Sequence, residues 1–199
     1  MQTAELQRKH ELTLLEVEAL RERMGGHFTT QRGLWVPRRN RLGKRVLLHE
    51  LTHEPVRHPN IVTNEGLDNV LDAYINAATQ ITIWFLTGFT DNITPLATHT
   101  AAAPGTTELT TTDVAESVRE TYNANAASGQ SMDNVAGPVA QYTADQAFTF
   151  FGAQLIGGGT SAFGNTAGVL WSSSLLSPSI SMVTLATIDL TYTFVSSDQ

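Results

Sequence analysis

The feature that most constrains the fold is a change in the spacing of apolar residues near residue 78. Over residues 61–78 apolar side chains recur every three or four positions, which is typical of an amphipathic helix. From residue 81 onward the apolar runs are β-branched and aromatic, and over 188–194 apolar and polar residues alternate. Such alternation is typical of a strand with one buried face. The sequence therefore predicts a β-rich domain with one packed helix.

The predicted helix lies near 64–78, with Thr63 or Asn64 as its cap and Glu65 in its first turn. Five apolar runs punctuated by Gly, Pro, Asn and Ser are predicted as strands, at 81–89, 137–144, 146–157, 167–176 and 181–196. Two Thr, Ala and Gly-rich stretches, 94–112 and 121–136, are predicted as long loops. This spacing favours a mainly β fold with α structure: an antiparallel β-sandwich-like domain over residues 61–199.

Charge divides the chain at the same place. Eleven of the twelve Lys and Arg residues lie in 1–60 beside seven acidic residues, whereas 61–199 holds one Arg and twelve acidic residues. A basic leader on an acidic body favours a protein that attaches to a larger assembly. We therefore predict two parts: an N-terminal helix and basic extended arm over 1–60, and the β-rich body over 61–199.

Residues 3–24 contain no Gly or Pro and are rich in good helix formers, so they predict a helix that ends at the Gly25-Gly26 pair. Two apolar stripes run along it, about a quarter to a third of a turn apart at about 100° per residue. The first consists of Leu6, Val17, Leu20 and Met24, and the second of Leu12, Leu15 and Ala19. Two stripes predict a neighbour on each side, either in the same domain or in another subunit.

Residues 27–60 combine cations with three prolines, which favours an extended arm with one short strand at Arg45–Leu51. Its apolar residues are predicted to anchor the arm on another surface, and its cations to contact acidic patches there. The candidate partner-binding residues are Phe28, Leu34, Trp35, Val36, Arg38, Arg39, Arg41, Lys44 and Arg45.

The composition of the chain argues against several kinds of site and partner. The chain has no Cys, which removes disulfides and thiolate metal ligands from consideration. No run approaches the roughly 18 apolar residues of a membrane span, the first residues lack the apolar core of a secretion signal, and the acidic body disfavours nucleic acid. We therefore expect a soluble protein made in the cytosol, with neither membrane nor nucleic acid as partner.

His49-Glu50-Leu51-Thr52-His53 matches the H-E-x-x-H pattern, in which two histidines one helical turn apart bind zinc and the glutamate is the general base. That chemistry needs a helix, and Pro55 and Pro59 follow closely. A zinc metallopeptidase is therefore a remote alternative, and we predict no catalytic residues, no metal ligands and no cofactor.

Three segments carry a likeness to a known group: the helix entry Asn60–Leu67, the run Ile83–Phe89 and the closing strand Asp189–Phe194. Together they resemble small virion structural proteins of tailed bacteriophages, which have an N-x-V-T-N-x-G-L helix, a W-y-x-G-l strand and a final L-x-x-T-Y-T strand. The likeness spans 60–199 in outline.

The resemblance implies a particle component located in the virion and without enzymatic activity. Within that class we expect a capsid decoration or cement protein, as a homotrimer, that binds the major capsid protein or other virion proteins through its arm. The alternative is a tail or head fibre or adaptor subunit anchored by its N-terminus. These possibilities differ in copy number per particle.

Overall fold

The computed structural model of the chain describes residues 24–39, 45–76 and 78–196. The predicted N-terminal helix lies outside the described residues, apart from Met24, which begins the first strand. In chain order the elements are β1 (Met24–Arg39), β2 (Arg45–Leu51), β3 (Val56–Pro59), β4 (Ile61–Val62), α1 (Asn64–Ile75), β5 (Trp84–Phe89), β6 (Glu120–Thr121), β7 (Ser131–Met132), β8 (Ala140–Thr143), β9 (Phe148–Gly157), β10 (Val169–Met182) and β11 (Ala186–Ser196).

The strands form two antiparallel sheets. In sheet A the order is β2-β1-β11-β7, with β3 beside β1 and β8 beside β11. In sheet B the order is β4-β10-β9-β5-β6. Apolar side chains from both sheets meet in one core. The predicted fold class, an antiparallel β-sandwich-like domain with one packed helix, is confirmed.

The predicted alternation in the last strand is also confirmed. Ile188, Leu190 and Tyr192 on β11 are completely buried, whereas the residues between them are half-buried on the other face. The strand predicted at Arg45–Leu51 is β2. The short strand β7 lies inside a segment predicted as a loop, because a strand of two residues carries no readable periodicity.

The predicted boundary at residue 60 does not separate two bodies within the described residues. β1 pairs with β11 from Met24↔Ser196 to Leu34↔Ala186, so the first strand and the last share a sheet. Phe28 is 0% exposed, and its ring packs edge-on against Tyr192 at 4.7 Å between centroids. The expectation that the apolar residues of 27–60 anchor an extended arm on another surface is therefore corrected for Phe28, because β1 is an inner strand of sheet A.

The segment Asn60–Leu67 places α1 against sheet B. The Thr63 hydroxyl accepts from the Gly66 amide at 3.0 Å and caps the helix, and it also donates to the Leu170 carbonyl. A Cβ at Gly66 would lie 2.8 Å from the Trp171 carbonyl oxygen, so only glycine allows the helix to come this close. Glu65 accepts from the amides of Ala101 and Leu170, both at 2.7 Å.

The one Arg beyond residue 60 is buried in a two-point ion pair. Arg119 Nε and Nη2 donate to the two carboxylate oxygens of Glu108 at 2.6 and 2.8 Å, and Nη2 also donates to the Asn165 carbonyl. Both side chains are largely withdrawn from solvent. The pair joins the segment between β5 and β6 to the loop that follows β9.

We predict that Phe28→Ala lowers the free energy of unfolding by about 3–5 kcal/mol, because it leaves a cavity between β1 and β11. Val135→Ala is the control, since Val135 is 60% exposed and its truncation is expected to cost less than about 0.5 kcal/mol. Urea unfolding of both variants measures the difference. Equal stabilities would mean that β1 is not part of the folded core.

We predict that Arg119→Met lowers the free energy of unfolding by about 3–5 kcal/mol, because Glu108 would remain buried without its cation. The exposed Arg57 on β3 offers the matched control, Arg57→Met, with an expected cost below about 0.5 kcal/mol. Thermal or denaturant unfolding at neutral pH gives both values. A small loss for Arg119→Met would contradict the role we assign to the pair.

Candidate functional site

A β-hairpin projects past the edge of sheet A. The pairing of β1 with β11 stops at Leu34↔Ala186, whereas its pairing with β2 runs from Gly33↔Leu51 to Arg39↔Arg45. Over residues 35–39, therefore, β2 is the one strand partner of β1 among the described strands. At about 3.3 Å per residue this two-stranded ribbon extends about 16 Å beyond the paired part of the sheet. We call residues 35–49 the basic hairpin.

The end of the basic hairpin concentrates positive charge. Five of the eight residues from 38 to 45 are Arg or Lys, and none is acidic. Arg38, Arg39 and Arg45 occupy paired positions on the ribbon, where the structure describes their backbone. Arg41 and Lys44 lie outside the described residues. Arg38, Arg39 and Arg45 thus belong to paired strands and not to an open arm.

The predicted apolar anchors divide between two environments. Phe28 is completely buried in the core, so its assignment to partner binding is corrected, whereas Leu34 packs against the core but is only half-buried, and its assignment stays a prediction. Trp35 and Val36 are half-buried where the hairpin leaves the sheet. The Trp35 amide donates to the Leu185 carbonyl at 3.2 Å, and the Leu185 side chain is exposed. An apolar patch therefore lies at the base of the basic hairpin.

The H-E-x-x-H pentapeptide does not form a helix. His49, Glu50 and Leu51 belong to strand β2, so His49 and His53 are not one helical turn apart. His53 is exposed, and its Nδ1 atom lies 2.9 Å from the Thr52 hydroxyl. Among the residues that the structure describes, no three His, Asp or Glu side chains form a group able to hold a metal. The helical zinc geometry is therefore not present in this segment.

His58, three residues beyond Pro55, is a buried residue that stabilises the fold. Its Nε2 atom lies 3.0 Å from the hydroxyl of Thr30 on the neighbouring β1, and both side chains are buried. Burial lowers the pKa of His58 below its ordinary value. The contact joins the neighbouring strands β1 and β3 on the buried face of sheet A.

An apolar cleft of about 700 Å³ opens between α1, the start of β5 and the edge of sheet A. Aromatic and aliphatic side chains form most of its wall. Its apolar lining residues are Val70, Ala73, Ile81, Ile83, Trp84, Tyr122, Met132, Trp171 and Phe194. Ile83 is 56% exposed at its rim, and Ile75 near the end of α1 is 73% exposed. A concave apolar surface of this kind is typical of a binding site.

Two of the three segments that carry the phage resemblance line this cleft, through Ile83, Trp84 and Phe194. The Tyr192 hydroxyl accepts from Asn60 Nδ2 and from Trp171 Nε1, each at 3.0 Å. Trp84 and Trp171 form a T-shaped pair with centroids 6.3 Å apart. Burial, as the first cause, raises the pKa of Tyr192 to about 12. These contacts join the two sheets, and of the residues in them Trp84 and Trp171 line the cleft.

A second concavity, of about 680 Å³, lies on the outer face of sheet A, and most of the residues that line it are polar or charged. His27, Arg57, Asp133 and Asp189 are the charged or titratable residues among those that line it. Burial, and then the nearby Arg57, lower the pKa of His27. This concavity carries charges of both signs, whereas residues 38–45 of the hairpin carry positive charge alone.

Sequence reasoning did not find the cleft. Its walls come from segments that lie far apart in the chain, and their apolar residues look like ordinary core positions. The available signal was the pair Ile83-Trp84, two large apolar residues in sequence at the start of a strand, which cannot both face the same core.

The chain matches no protein-family model and no curated protein sequence. Within the described residues no helix is both long enough and apolar enough to cross a membrane.

We predict that the free energy of unfolding falls as the pH rises from about 10 to about 12. The folded pKa of Tyr192 lies above the unfolded value of about 10, so its contribution is complete below pH 10 and is lost as the pH approaches the folded pKa. Denaturant unfolding across this range, for the natural chain and for Tyr192→Phe, measures it. The slope should be shallower for Tyr192→Phe, and an unchanged slope would contradict the assignment.

Proposed function

We propose that this chain is a structural protein of a phage virion, most specifically a capsid decoration protein that attaches to the shell through its basic hairpin. The observation that supports the proposal is the hairpin itself: a two-stranded ribbon beyond the sheet, with five cations and no acid between residues 38 and 45. The sequence resemblance of Asn60–Leu67, Ile83–Phe89 and Asp189–Phe194 to phage virion proteins indicates the kind of particle.

The hairpin has the properties of an anchor. A two-stranded ribbon alone in water is marginally stable, so contact with another protein would stabilise it. The half-buried Trp35 and Val36 and the exposed Leu51 and Leu185 provide apolar area at its base. Its cations favour an acidic surface, and Arg in particular forms paired hydrogen bonds with carboxylates. The proposed partner is therefore an acidic groove on the major capsid protein or another virion protein.

Copy number separates the decoration protein from the alternative, a fibre or adaptor subunit. A decoration protein covers the shell in hundreds of copies, whereas a fibre or adaptor occurs as one ring or a few trimers. Densitometry of a stained gel of purified particles, with the major capsid protein as the internal standard, gives this ratio. A ratio of a few copies per particle would replace the decoration proposal by the fibre or adaptor.

We predict that Arg38→Ala/Arg39→Ala weakens binding to particles at low salt and makes the remaining binding less dependent on salt, because fewer charge contacts remain to be screened. Arg32→Ala/Arg57→Ala removes two cations outside the basic hairpin and is the matched control. Co-sedimentation with particles that lack the protein, across a salt series, measures the effect. If both pairs lose binding equally, net charge alone determines attachment and the hairpin is not the anchor.

A further inference from the structure

The chain that precedes β1 leaves the fold beside the apolar cleft. Met24 pairs with Ser196, and two residues along the strand Gly26 pairs with Phe194, which lines the cleft. A Cβ at Gly26 would lie 2.5 Å from the hydroxyl of Tyr192, two residues before Phe194, so glycine lets β1 pass close to this part of β11. Residues before Met24 therefore begin within a few residues' length of the cleft.

The cleft and the preceding segment complement one another. Trp84, Met132 and Phe194 form part of the apolar wall of the cleft, and the side chain of Ile83 is exposed at its rim. Residues 3–23 carry two apolar stripes on a sequence that favours helix. Leu20 is the large apolar residue nearest to β1 in this segment. Three residues separate it from Met24, a span of about 10 Å when extended.

A short tether favours docking within the same chain. When two contacting groups are joined by only a few residues, their effective concentration is on the order of millimolar or higher, so even a weak apolar contact forms. A helix of this length is marginal in water by itself and gains stability mainly by burying an apolar face.

We propose that residues 3–23 dock as a helix into the apolar cleft of their own chain, with the stripe of Leu6, Val17 and Leu20 against α1 and the start of β5. The second stripe, Leu12, Leu15 and Ala19, stays on the outside and is available to a partner subunit. This inference concerns the isolated protein and does not rest on the proposed function.

Deletion of residues 2–22 tests whether the segment covers the cleft. Trp84 would lose its cover, so its fluorescence emission should shift to longer wavelength and an apolar dye should bind more strongly. In a Trp84→Phe background the deletion should shift the emission much less, because Trp35 does not line the cleft and Trp171, which does, is only 2% exposed. Val17→Asp/Leu20→Asp should reproduce the deletion, whereas Leu12→Asp/Leu15→Asp should not. An unchanged Trp84 emission after the deletion would overturn the proposal.

Cross-linking in the full-length chain tests the docking directly and does not require the deletion variant to fold. The sequence has no cysteine, so a variant with two introduced cysteines can form a single disulfide within one chain. Leu20→Cys combined with Ala73→Cys on α1, or with Met132→Cys on β7, should form a disulfide within one chain under mild oxidation. Leu12→Cys with the same two partners is the control and should not.

The species on a non-reducing gel decides between the outcomes. A monomer with an internal disulfide for Leu20→Cys supports docking within the chain. Disulfides only between chains would overturn it in favour of exchange between copies, and no disulfide with either partner would overturn docking altogether. Because both experiments use isolated protein, they remain informative if the chain fails to bind particles, and particle binding remains informative if they fail.

Discussion

The hydrogen bonds at the Tyr192 hydroxyl are the contact on which the rest of the structure depends. Tyr192 lies on β11 of sheet A, Trp171 on β10 of sheet B, and Asn60 between β3 and β4, where the chain passes from one sheet to the other. One buried oxygen of sheet A thus accepts from sheet B and from the connection between the two sheets. Loss of that acceptor would leave two donors buried without a partner, which costs more than the bond itself contributes.

The Tyr192 ring extends this constraint to the first strand. It contacts Phe28 and Phe194 edge-on, each at 4.7 Å between centroids. Because Phe28 is thereby held inside the core, the register of β1 on β11 is set, and a shift of one residue would turn its buried face outward. In this register β11 begins opposite Leu34, so β1 extends beyond the end of β11 and pairs there with β2 as the basic hairpin. The position of the charged end therefore depends on aromatic packing at the opposite end of the strand.

The sequence was sufficient for the elements with a clear local signal. Residues 188–194 alternate, Thr63 is a good cap, and both were predicted correctly. The role of Phe28 was missed because its partner strand lies about 160 positions away in the chain, and pairing at that distance leaves no local pattern. Pro37 and the cations of β1 also favoured an open arm, although a proline is compatible with a strand that lacks a neighbour on one side.

The separation of charges follows from the same geometry. Arg119 is the one Lys or Arg in the acidic body, residues 61–199. Its charge is neutralised by Glu108 in a buried ion pair that stabilises the fold. Cations close to that body would be attracted to its own carboxylates. The end of the basic hairpin lies about 16 Å beyond the paired sheet, which is about twice the Debye length of about 8 Å at physiological ionic strength. Attraction to the body is therefore largely screened at Arg39 and Arg45, which supports the proposal that these cations contact a partner surface.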